Sequence, residues 1–445
     1  MKNVLPHGAH TGPAGHLVVG GCDTVELAER FGTPLIVLDR ATFEANARAF
    51  ASVLGPSHIF YAGKALCCVA VCELVDGLGL GLDVCSGGEL ATALAAGFPP
   101  ERILFHGNNK SVEELERARD AGVGRVVVDS FDEIAAISRL AMSCKLLVRI
   151  TPGVEAHTHE AVQTGQYDSK FGFVTIGGIA LRAIDAARAI SGCDLVGVHA
   201  HIGSQIFEPS AFELAAERLA ELLATAREEL GFSASELNIG GGFGVAETSA
   251  EVAPSPQASA EAVLAAVQAE LAARGVPVPA VFLEPGRSIA GRAGVTVYKV
   301  GTVKRIPGVR TYLSVDGGMA DNPRLALYGT RYDAFLANRM NAPSGELVTV
   351  AGKHCESGDL LVVDARMPGD VAPGDLLCIP ATGAYTYSMA SNYNRLPRPP
   401  VIIVHDGEAT EVIVRESHAD VLRLDRHLDG TPLRDRAAGI VSRRL

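Results

Sequence analysis

The strongest constraint on this chain is a local pattern that repeats between residues 58 and 290. A short apolar run ends in a polar or glycine-rich turn, and a stretch with apolar residues at every third or fourth position follows. The apolar runs occur at 58–64, 80–86, 102–108, 125–130, 145–152, 195–204, 236–242 and 281–287. Strands that alternate with helices form a parallel sheet, and eight of them favour an α/β fold closed into a (β/α)8 barrel of the TIM type. The prediction depends on the count, because one missed strand would leave the sheet open.

After residue 290 the pattern changes to short alternating strands separated by glycine and proline. The pair Asp406-Gly407 is typical of a tight turn and predicts a hairpin. We therefore predict a C-terminal domain that resembles a β-sandwich or a β-barrel, and we expect the early segment 17–39 to pack with it. The predicted domains are a barrel at 36–290 and a β domain formed by 1–35 and 291–445.

Glycines mark the ends of the predicted helices, because a left-handed residue commonly closes a helix. The glycines at such places are Gly97, Gly122, Gly231 and Gly275. The segment 246–261 is rich in Pro, Ser and Ala, and it is predicted to be a mobile surface loop.

Charge and composition narrow the class of protein. The chain has 39 Lys and Arg against 51 Asp and Glu, a net charge of −12, which argues against nucleic acid or an anionic membrane as the main partner. No apolar run reaches the ~18 residues of a spanning helix, and the N-terminus lacks the apolar core of a secretory signal. The nine cysteines show no paired metal-binding spacing. We expect them to be reduced and the protein to be cytoplasmic.

In a barrel of this type, the ends of the strands meet at one face, and the chemistry is built there. The polar residues at or near the strand ends are Lys64, Asp83, Ser86, His106, Asp129, Ser130, Arg149, His199, His201, Ser204, Glu284 and Arg287. A lysine pointing into the barrel is desolvated, so we expect the pKa of Lys64 to fall and its free amine to attack a carbonyl. The alternative is an ordinary surface lysine on a loop.

Three further strand ends suggest ligand binding. Gly240, Gly241 and Gly242 follow the seventh strand, where backbone N–H groups bind phosphate in this fold, although a tight turn also uses glycine. Glu284 is suited to hold a pyridinium proton, and Arg287 is suited to bind a carboxylate or phosphate; an ion pair within the loop is the alternative.

His201 is suited to be a metal ligand, an acid–base group or a stacking ring, and a structural role is the alternative. His199 and His201 are two residues apart and point the same way in a strand. No third ligand is evident, and we expect no metal. In the β domain, Cys355 and Glu356 lie in the Gly-flanked loop HCESGD. A thiol with a pKa near 8.5 is suited to donate a proton around neutrality, whereas a buried cysteine would be inert.

Taken together, the segments resemble the fold-type III decarboxylases that use pyridoxal 5′-phosphate (PLP), and among these most closely the group that acts on diaminopimelate. The similarity extends from about residue 16 to residue 425. The motifs occur in the family's order: YAGKAL, GLDVCSGGEL, HGNNKS, TGQYDSKFGF, HAHIGSQI, NIGGGFG, EPGRSI, DGGMADNPR, ALYG, CESGD and GAYTYSMASNYN. Two positions depart from the usual pattern, Leu325 where proline is common and Leu66 where asparagine is frequent. Neither removes a functional group.

The resemblance implies a role for each candidate residue. Lys64 carries PLP covalently, Asp83 lies in the cofactor site, His201 stacks on the ring, and Glu284 pairs with the ring nitrogen. The phosphate is held by Ser204, the Gly240–Gly242 turn and the backbone of Glu284, Pro285, Gly286 and Arg287, and Tyr385 also approaches the cofactor. The substrate contacts are Arg287, Arg324, Tyr328, Glu356 and Tyr385. Cys355 is the proton donor, supplied by the neighbouring subunit of a homodimer.

The implied reaction is the decarboxylation of meso-2,6-diaminopimelate to L-lysine and CO2. Two arginines suit the distal carboxylate of that substrate and Glu356 suits its ammonium group, whereas related ornithine decarboxylases have aspartate after the cysteine. The alternatives are a decarboxylase of ornithine, arginine or carboxynorspermidine, a PLP racemase, or a PLP carrier. A racemase places arginine rather than glutamate against the ring nitrogen, and a carrier would lose Lys64, Cys355 or the arginines.

Overall fold

The computed structural model describes residues 3–154, 165–343 and 345–433. Its internal contacts divide the chain into two compact units, and each is described by itself below. The barrel unit comprises the described residues of 1–9, 38–295 and 380–388. The β unit comprises those of 10–37, 296–379 and 389–445.

The secondary-structure elements are numbered in chain order. The strands are β1 (His10–Thr11), β2 (Leu17–Val19), β3 (Cys22–Asp23), β4 (Leu35–Asp39), β5 (Phe60–Ala62), β6 (Gly81–Val84), β7 (Ile103–Phe105), β8 (Arg125–Val128), β9 (Lys145–Thr151), β10 (Phe173–Val174), β11 (Asp194–Ala200), β12 (Glu236–Asn238), β13 (Ala280–Phe282), β14 (Gly294–Ile306), β15 (Arg310–Val315), β16 (Phe335–Leu336), β17 (Glu346–Ala351), β18 (Leu360–Met367), β19 (Leu376–Pro380), β20 (Val401–His405) and β21 (Glu408–Ile413). The helices are α1 (Thr24–Phe31), α2 (Arg40–Leu54), α3 (Val69–Gly77), α4 (Gly87–Ala95), α5 (Val112–Ala121), α6 (Phe131–Arg139), α7 (Ile179–Arg188), α8 (Ser210–Leu230), α9 (Pro256–Ala273), α10 (Arg287–Ala290), α11 (Arg324–Tyr328) and α12 (His418–Leu422).

The barrel unit is built on eight parallel strands in the order β5-β6-β7-β8-β9-β11-β12-β13. The ring closes between the first and last strands. The Phe60 N–H donates to the Leu283 carbonyl (2.9 Å), and the Leu283 N–H donates to the His58 carbonyl (3.0 Å). The predicted (β/α)8 barrel is confirmed, and each predicted apolar run overlaps one of its strands. The short strand β10, which pairs with β9, was not predicted.

Local caps explain why helices follow the strands so directly. The hydroxyls of Ser86, Ser111 and Ser130 each accept a hydrogen bond from a backbone N–H in the first turn of α4, α5 and α6. The four predicted helix-ending glycines all have positive φ angles, between 64° and 77°. Short connections of this kind keep the strand ends in place.

The inner face of the barrel has an apolar layer, followed by a polar one. Phe60, Leu104, Val127, Leu147, Val196 and Phe282 form a buried cluster. Because side chains alternate along a strand, residues two positions further on share the same inner face. Those residues are His106, Asp129, Arg149 and Glu284, following Leu104, Val127, Leu147 and Phe282 respectively. His199 joins them because it pairs in register with Arg149.

The β unit contains a three-stranded sheet, β1-β2-β3, and a larger sheet in the order β18-β17-β15-β14-β4-β20-β21, with β19 pairing with β14 and β16. Its core is a cluster of buried apolar residues that includes Tyr298, Leu313, Val350 and Ile379. The predicted hairpin is confirmed, since β20 and β21 are antiparallel and Asp406 and Gly407 both have positive φ. The predicted second, β-rich domain is therefore confirmed.

Among residues 3–154, 165–343 and 345–433, no helix combines the length and apolar character that crossing a membrane requires. All nine cysteines are free thiols in the structure.

Candidate active site in the barrel mouth

Lys64 lies in a 3₁₀ turn, Gly63–Ala65, directly after β5. The turn is pressed against β6, because a Cβ at Gly63 would lie 2.9 Å from the Asp83 carbonyl oxygen. Burial by itself lowers the pKa of Lys64, but the Tyr385 phenol and the carboxylates of Asp83 and Glu284 raise it more, and the net pKa is raised. The expectation of a net lowered pKa for Lys64 is therefore wrong, because the acidic groups around the amine outweigh desolvation.

Glu284 is buried, 4% exposed, and surrounded by hydrogen-bond donors. Its Oε1 lies 2.9 Å from His106 Nε2 and accepts from Asn238 Nδ2 at 2.8 Å. His199 Nε2 lies 3.2 Å from Oε1 and 3.3 Å from Oε2. Burial alone would raise the pKa of Glu284, but the two histidines overcome burial and hold it well below the usual value. The carboxylate is therefore ionised in the barrel mouth.

The two histidines beside Glu284 are neutral. Burial is the main cause that lowers both pKa values, to about 3 for His106. The ligand-type atoms of His106, His199 and Glu284 lie within 4.8 Å of one another, which is compact enough for a metal ion. His106 and Glu284 reach His199 from strands distant in the chain, which the sequence did not show, whereas His201 is not part of this cluster. The expectation of no metal stays a prediction.

Asp83, near the end of β6, behaves differently from Glu284. It is 2% exposed, and its Oδ1 accepts no hydrogen bond. Burial, followed by the negative charge of Glu284, raises its pKa well above the usual value. His106 Nε2 is 3.8 Å from Asp83 Oδ1, too far for a hydrogen bond. One barrel mouth thus holds two buried carboxyl groups with opposite protonation preferences.

The turn Gly240–Gly242 lies where three backbone segments meet. A Cβ at these glycines would lie 2.4, 2.2 and 2.3 Å from the carbonyl oxygens of Ala200, Glu284 and Gly203 respectively, so no side chain fits. The N–H of Gly240 donates to Asn238 Oδ1 (2.8 Å), and that of Gly241 donates to His201 Nδ1 (3.2 Å). These contacts place His201, whose pKa is lowered by burial and then by Lys64, beside the turn. The phosphate contacts predicted for the turn stay a prediction.

Arg287, the first residue of α10, joins three parts of the barrel unit. Its Nη1 donates to Glu247 Oε1 (3.1 Å), and its Nη2 donates to Ser204 Oγ (3.0 Å). Its guanidinium carbon lies 4.5 Å from the centre of the Tyr385 ring. Arg287 therefore forms an ion pair with Glu247. Pro285 and Gly286 lie just before α10, with the Pro285 carbonyl accepting from Ala62 N–H (3.3 Å).

The prediction of a surface loop at 246–261 needs correction. Ala246 and Glu247 are buried, because Glu247 neutralises the buried Arg287. Helix α9 begins at Pro256, capped by the Ser255 hydroxyl. A Ser-Pro pair before an Ala-rich run is a helix-start signal that could have been recognised in the sequence.

Within the β unit, the candidates Arg324 and Tyr328 lie at the two ends of α11. The guanidinium carbon of Arg324 is 5.5 Å from the Tyr328 ring centre, and its Nη2 donates to Thr330 Oγ1 (3.2 Å). Arg324 is 4% exposed. The Tyr328 ring and the Thr330 hydroxyl thus hold this arginine in one orientation.

Cys355 and Glu356 are exposed at the surface of the β unit. The Cys355 N–H donates to Asn394 Oδ1 (3.0 Å), and Glu356 Oε2 accepts from the Tyr393 hydroxyl (2.9 Å). The structure therefore shows the HCESGD loop held in place with its two candidate side chains accessible.

Sequence reasoning assigned no role to several residues that contact the predicted ones. They are His106, His199, Asn238 and Glu247. The first two were noted as polar strand ends, and Asn238 stands two residues before the glycine turn. No pattern in the sequence indicated Glu247.

Comparison with known proteins agrees with this architecture. Residues 40–291 match the family described as "pyridoxal-dependent decarboxylase, pyridoxal binding domain". The diaminopimelate decarboxylase of Halalkalibacterium halodurans is 49% identical over 423 residues, covering 93% of this chain and 96% of its own. That of Bacillus subtilis is 48% identical over 419 residues, covering 92% and 95%.

Solved structures give the same result. A diaminopimelate decarboxylase of M. jannaschii, in complex with L-lysine, superposes with a TM-score of 0.88 at 31% identity, covering 96% of this chain and 99% of its own. A lysine/ornithine decarboxylase of Vibrio vulnificus, at 24% identity and a TM-score of 0.74, shares the fold.

A barrel with an amine after its first strand and an ionised carboxylate after its eighth defines a class of cofactor-dependent enzymes. The chain belongs to the pyridoxal-dependent decarboxylases and, within them, to the diaminopimelate decarboxylase family. It is a carboxy-lyase, and its cofactor is PLP. The residues present fit that cofactor: a lysine amine for its aldehyde, an ionised Glu284 for its ring nitrogen, and a buried His199 Nδ1 and Asp83 Oδ1 that accept no hydrogen bond from the described residues.

Proposed function

We propose that this chain decarboxylates meso-2,6-diaminopimelate to L-lysine and CO2, the last step of lysine biosynthesis. The observation that carries the proposal is the ionised Glu284 in the same barrel mouth as Lys64. PLP, when bound, supplies the electron sink for loss of CO2, and the protein supplies position and electrostatics. The names printed for relatives that are about half identical over nearly their whole length support the choice of substrate.

The proposed cofactor contacts follow from the residues of the barrel unit. Lys64 binds the cofactor through its amine, and Glu284 keeps a proton on the ring nitrogen. His201 stacks on the ring, in a position fixed by the Gly241 N–H. Asp83 and Tyr385 line the same site.

We assign the phosphate to Ser204, the Gly240–Gly242 turn and the backbone of residues 284–287. Arg287 and Ser204 already share a hydrogen bond, which places a cation and a hydroxyl side by side. That pairing is typical of an anion site.

We assign the substrate to Arg287, Arg324, Tyr328, Glu356 and Tyr385. Arg287 and Arg324 are both buried guanidinium groups, which suit the distal carboxylate. Glu356 pairs with the distal ammonium. A site with these charges rejects lysine and ornithine, which lack the distal carboxylate and leave an arginine unpaired.

We further propose a homodimer in the cytoplasm, with Cys355 Sγ donating the final proton across the interface. Cys355 and Glu356 are exposed on the single chain, which suits groups that face a second copy. Nine free thiols suit a reducing compartment.

The substrate is tested with purified protein and PLP by measuring CO2 and amine product. Separate reactions contain meso-diaminopimelate, ornithine, arginine and carboxynorspermidine. We expect turnover of diaminopimelate alone. Turnover of another substrate in its place would overturn the assignments of Arg324 and Glu356, and loss of the α-proton without CO2 would indicate a racemase.

The shared site is tested by mixing Lys64→Ala and Cys355→Ala chains. In random dimers, about a quarter of the sites combine an intact Lys64 with an intact Cys355 of the other subunit, and activity should recover to about that fraction of wild type. Mass spectrometry checks that subunits have exchanged. Exchange without recovery would exclude a site shared in this way.

A further inference from the structure

We infer that His106, His199 and Asn238 are positioning residues that act as neutral hydrogen-bond donors and hold Glu284 as an anion aimed at the ring nitrogen of the cofactor. The inference deepens the proposed function and rests on it. It assigns a purpose to three buried polar side chains that need touch neither substrate nor cofactor.

Several hydrogen-bond donors surround the carboxylate of Glu284. Oε1 of Glu284 receives Asn238 Nδ2 at 2.8 Å and His106 Nε2 at 2.9 Å, and His199 Nε2 lies within 3.3 Å of both oxygens. A carboxylate that accepts several hydrogen bonds is stabilised in its charged form. The three donors come from different strands or strand ends, β7, β11 and β12, so the carboxylate is fixed from three directions.

The orientation of Asn238 is settled by its other contact. Its Oδ1 accepts the Gly240 N–H at 2.8 Å. The opposite end of the amide, Nδ2, must therefore point at Glu284 as a donor. The same amide thus connects Glu284 to the glycine turn.

The tautomer of His199 follows in the same way. Its Nδ1 is buried and makes no hydrogen bond with any described residue, so the single proton of a neutral ring belongs on Nε2, where it meets Glu284. His106 and His199 pack edge to face with ring centres 4.5 Å apart. Two cationic rings would repel at that distance, and the nearby cations Lys64 and Arg149 also lower the pKa of His199.

The donors must be neutral for the cluster to keep the net negative charge of Glu284. A cationic histidine would cancel the charge of Glu284, and the cluster would then have no net attraction for a ring proton. Two neutral histidines and an amide keep one full negative charge on the carboxylate. They also hold the carboxylate in place before the cofactor arrives.

Asp83 gives a comparison within the same barrel mouth. It is as buried as Glu284 and lies in the same barrel, yet its Oδ1 receives no donor and its pKa is raised. The donors around Glu284, together with the negative charge that Glu284 places beside Asp83, account for the difference between the two carboxyl groups. The same geometry disfavours the cluster as a zinc site, because both Nε2 atoms direct protons, not lone pairs, toward Glu284.

The test measures the protonation of the cofactor ring directly. PLP labelled with 15N in the ring is bound to wild type, to His106→Phe/His199→Phe, to the matched His106→Gln/His199→Gln, and to Glu284→Gln. Glutamine keeps an N–H donor near the place of Nε2, whereas phenylalanine keeps only the shape. The 15N chemical shift is followed against pH, together with kcat and KM.

We expect a protonated ring nitrogen in wild type and in the glutamine pair. In the phenylalanine pair the pH of deprotonation should fall by about one unit or more, toward that of Glu284→Gln. We expect kcat to fall on the order of tenfold or more, with KM changing less.

A phenylalanine pair with the wild-type titration would overturn the inference, as would a glutamine pair that titrates like the phenylalanine pair. If the double variant does not fold, the single variants His199→Phe and His199→Gln decide by the same comparison. A wild-type protein that binds PLP with a protonated ring but turns over no diaminopimelate would contradict the proposed substrate and leave this inference standing.

Discussion

The barrel mouth and the HCESGD loop (residues 354–359) carry functional side chains in opposite ways. In the barrel, Glu284 is buried and takes all its hydrogen bonds from its own unit. In the loop, Cys355 and Glu356 are exposed, although the Cys355 N–H is hydrogen-bonded to Asn394 Oδ1. The charge of Glu284 is therefore stabilised by groups of its own chain, whereas the side chains of Cys355 and Glu356 are exposed at the surface.

The exposed loop is nevertheless ordered by buried neighbours. Asp359 Oδ2 accepts from the His354 N–H at 2.7 Å and lies 2.9 Å from His354 Nδ1. The His354 ring stacks on Tyr393 with centres 5.4 Å apart and an angle of 7° between planes. Exposure and rigidity thus coexist, which is what a residue acting on another surface requires.

The largest predicted effect separates the two regions. Lys64→Ala should lower kcat on the order of a thousandfold or more, because the covalent anchor of the cofactor is removed. It should also abolish the visible absorbance of bound PLP. Cys355→Ala should lower activity but keep that absorbance.

Lys145→Ala is a matched control, because this lysine lies at the start of β9, away from the strand ends that form the barrel mouth. It pairs with Glu236. Its activity and absorbance should match wild type. Retained absorbance in Lys64→Ala would show that another residue holds the cofactor.

The next effect concerns the stability of the barrel mouth. Glu247→Ala removes the carboxylate that pairs with the buried Arg287 and should cost about 3 kcal/mol in the free energy of unfolding. Urea denaturation followed by circular dichroism measures it. Glu208→Ala, at an exposed position, should change stability by less than about 0.5 kcal/mol. Equal urea denaturation midpoints for the two variants would show that the ion pair of Arg287 and Glu247 contributes nothing to stability.

A smaller effect is the pH dependence of cofactor capture. The raised pKa of Lys64 keeps its amine protonated, and a protonated amine cannot bond to an aldehyde, so reconstitution of the apoenzyme should speed up as pH rises. Tyr385→Phe and Glu284→Gln each remove a group that raises this pKa, so their rate profiles should shift to lower pH. Stopped-flow absorbance gives the rates. A shift to higher pH would contradict the assigned cause.

The smallest effect is expected in the loop. Tyr393→Phe removes the hydrogen bond to Glu356 but keeps the ring stacked on His354. Stability should change by less than about 1 kcal/mol, because the bond is exposed. KM for diaminopimelate should rise a few-fold if Glu356 is held by this bond for the substrate. An unchanged KM would limit Tyr393 to a packing role.

Much of the fold followed from periodicity. Eight apolar runs became eight strands, the glycines at helix ends took left-handed conformations, and Asp406-Gly407 made the hairpin turn. These features depend on a few adjacent residues, so the local sequence is sufficient to predict them. Strand β10 and the first residues of helix α9 were missed, because β10 has two residues and the Ser-Pro start of α9 was taken as part of a loop.

The site was less predictable where it depends on distant partners. Lys64, Glu284 and His201 could be placed at strand ends from the barrel pattern. The pairing of Arg287 with Glu247 joins residues 40 positions apart, and that of Glu284 with His106 joins residues 178 apart. No local pattern encodes such contacts.

The sequence by itself determined which chemical groups reach the barrel mouth, because alternation along each strand and the order of the strands are local properties. Only the tertiary structure decided their charge states. Lys64 was expected to have a lowered pKa and has a raised one, and Asp83 and Glu284, both buried carboxyl groups, differ in protonation. The physical reason is that a pKa in a buried site depends on which donors and charges lie within a few ångströms, and those neighbours come from strands far apart in the chain.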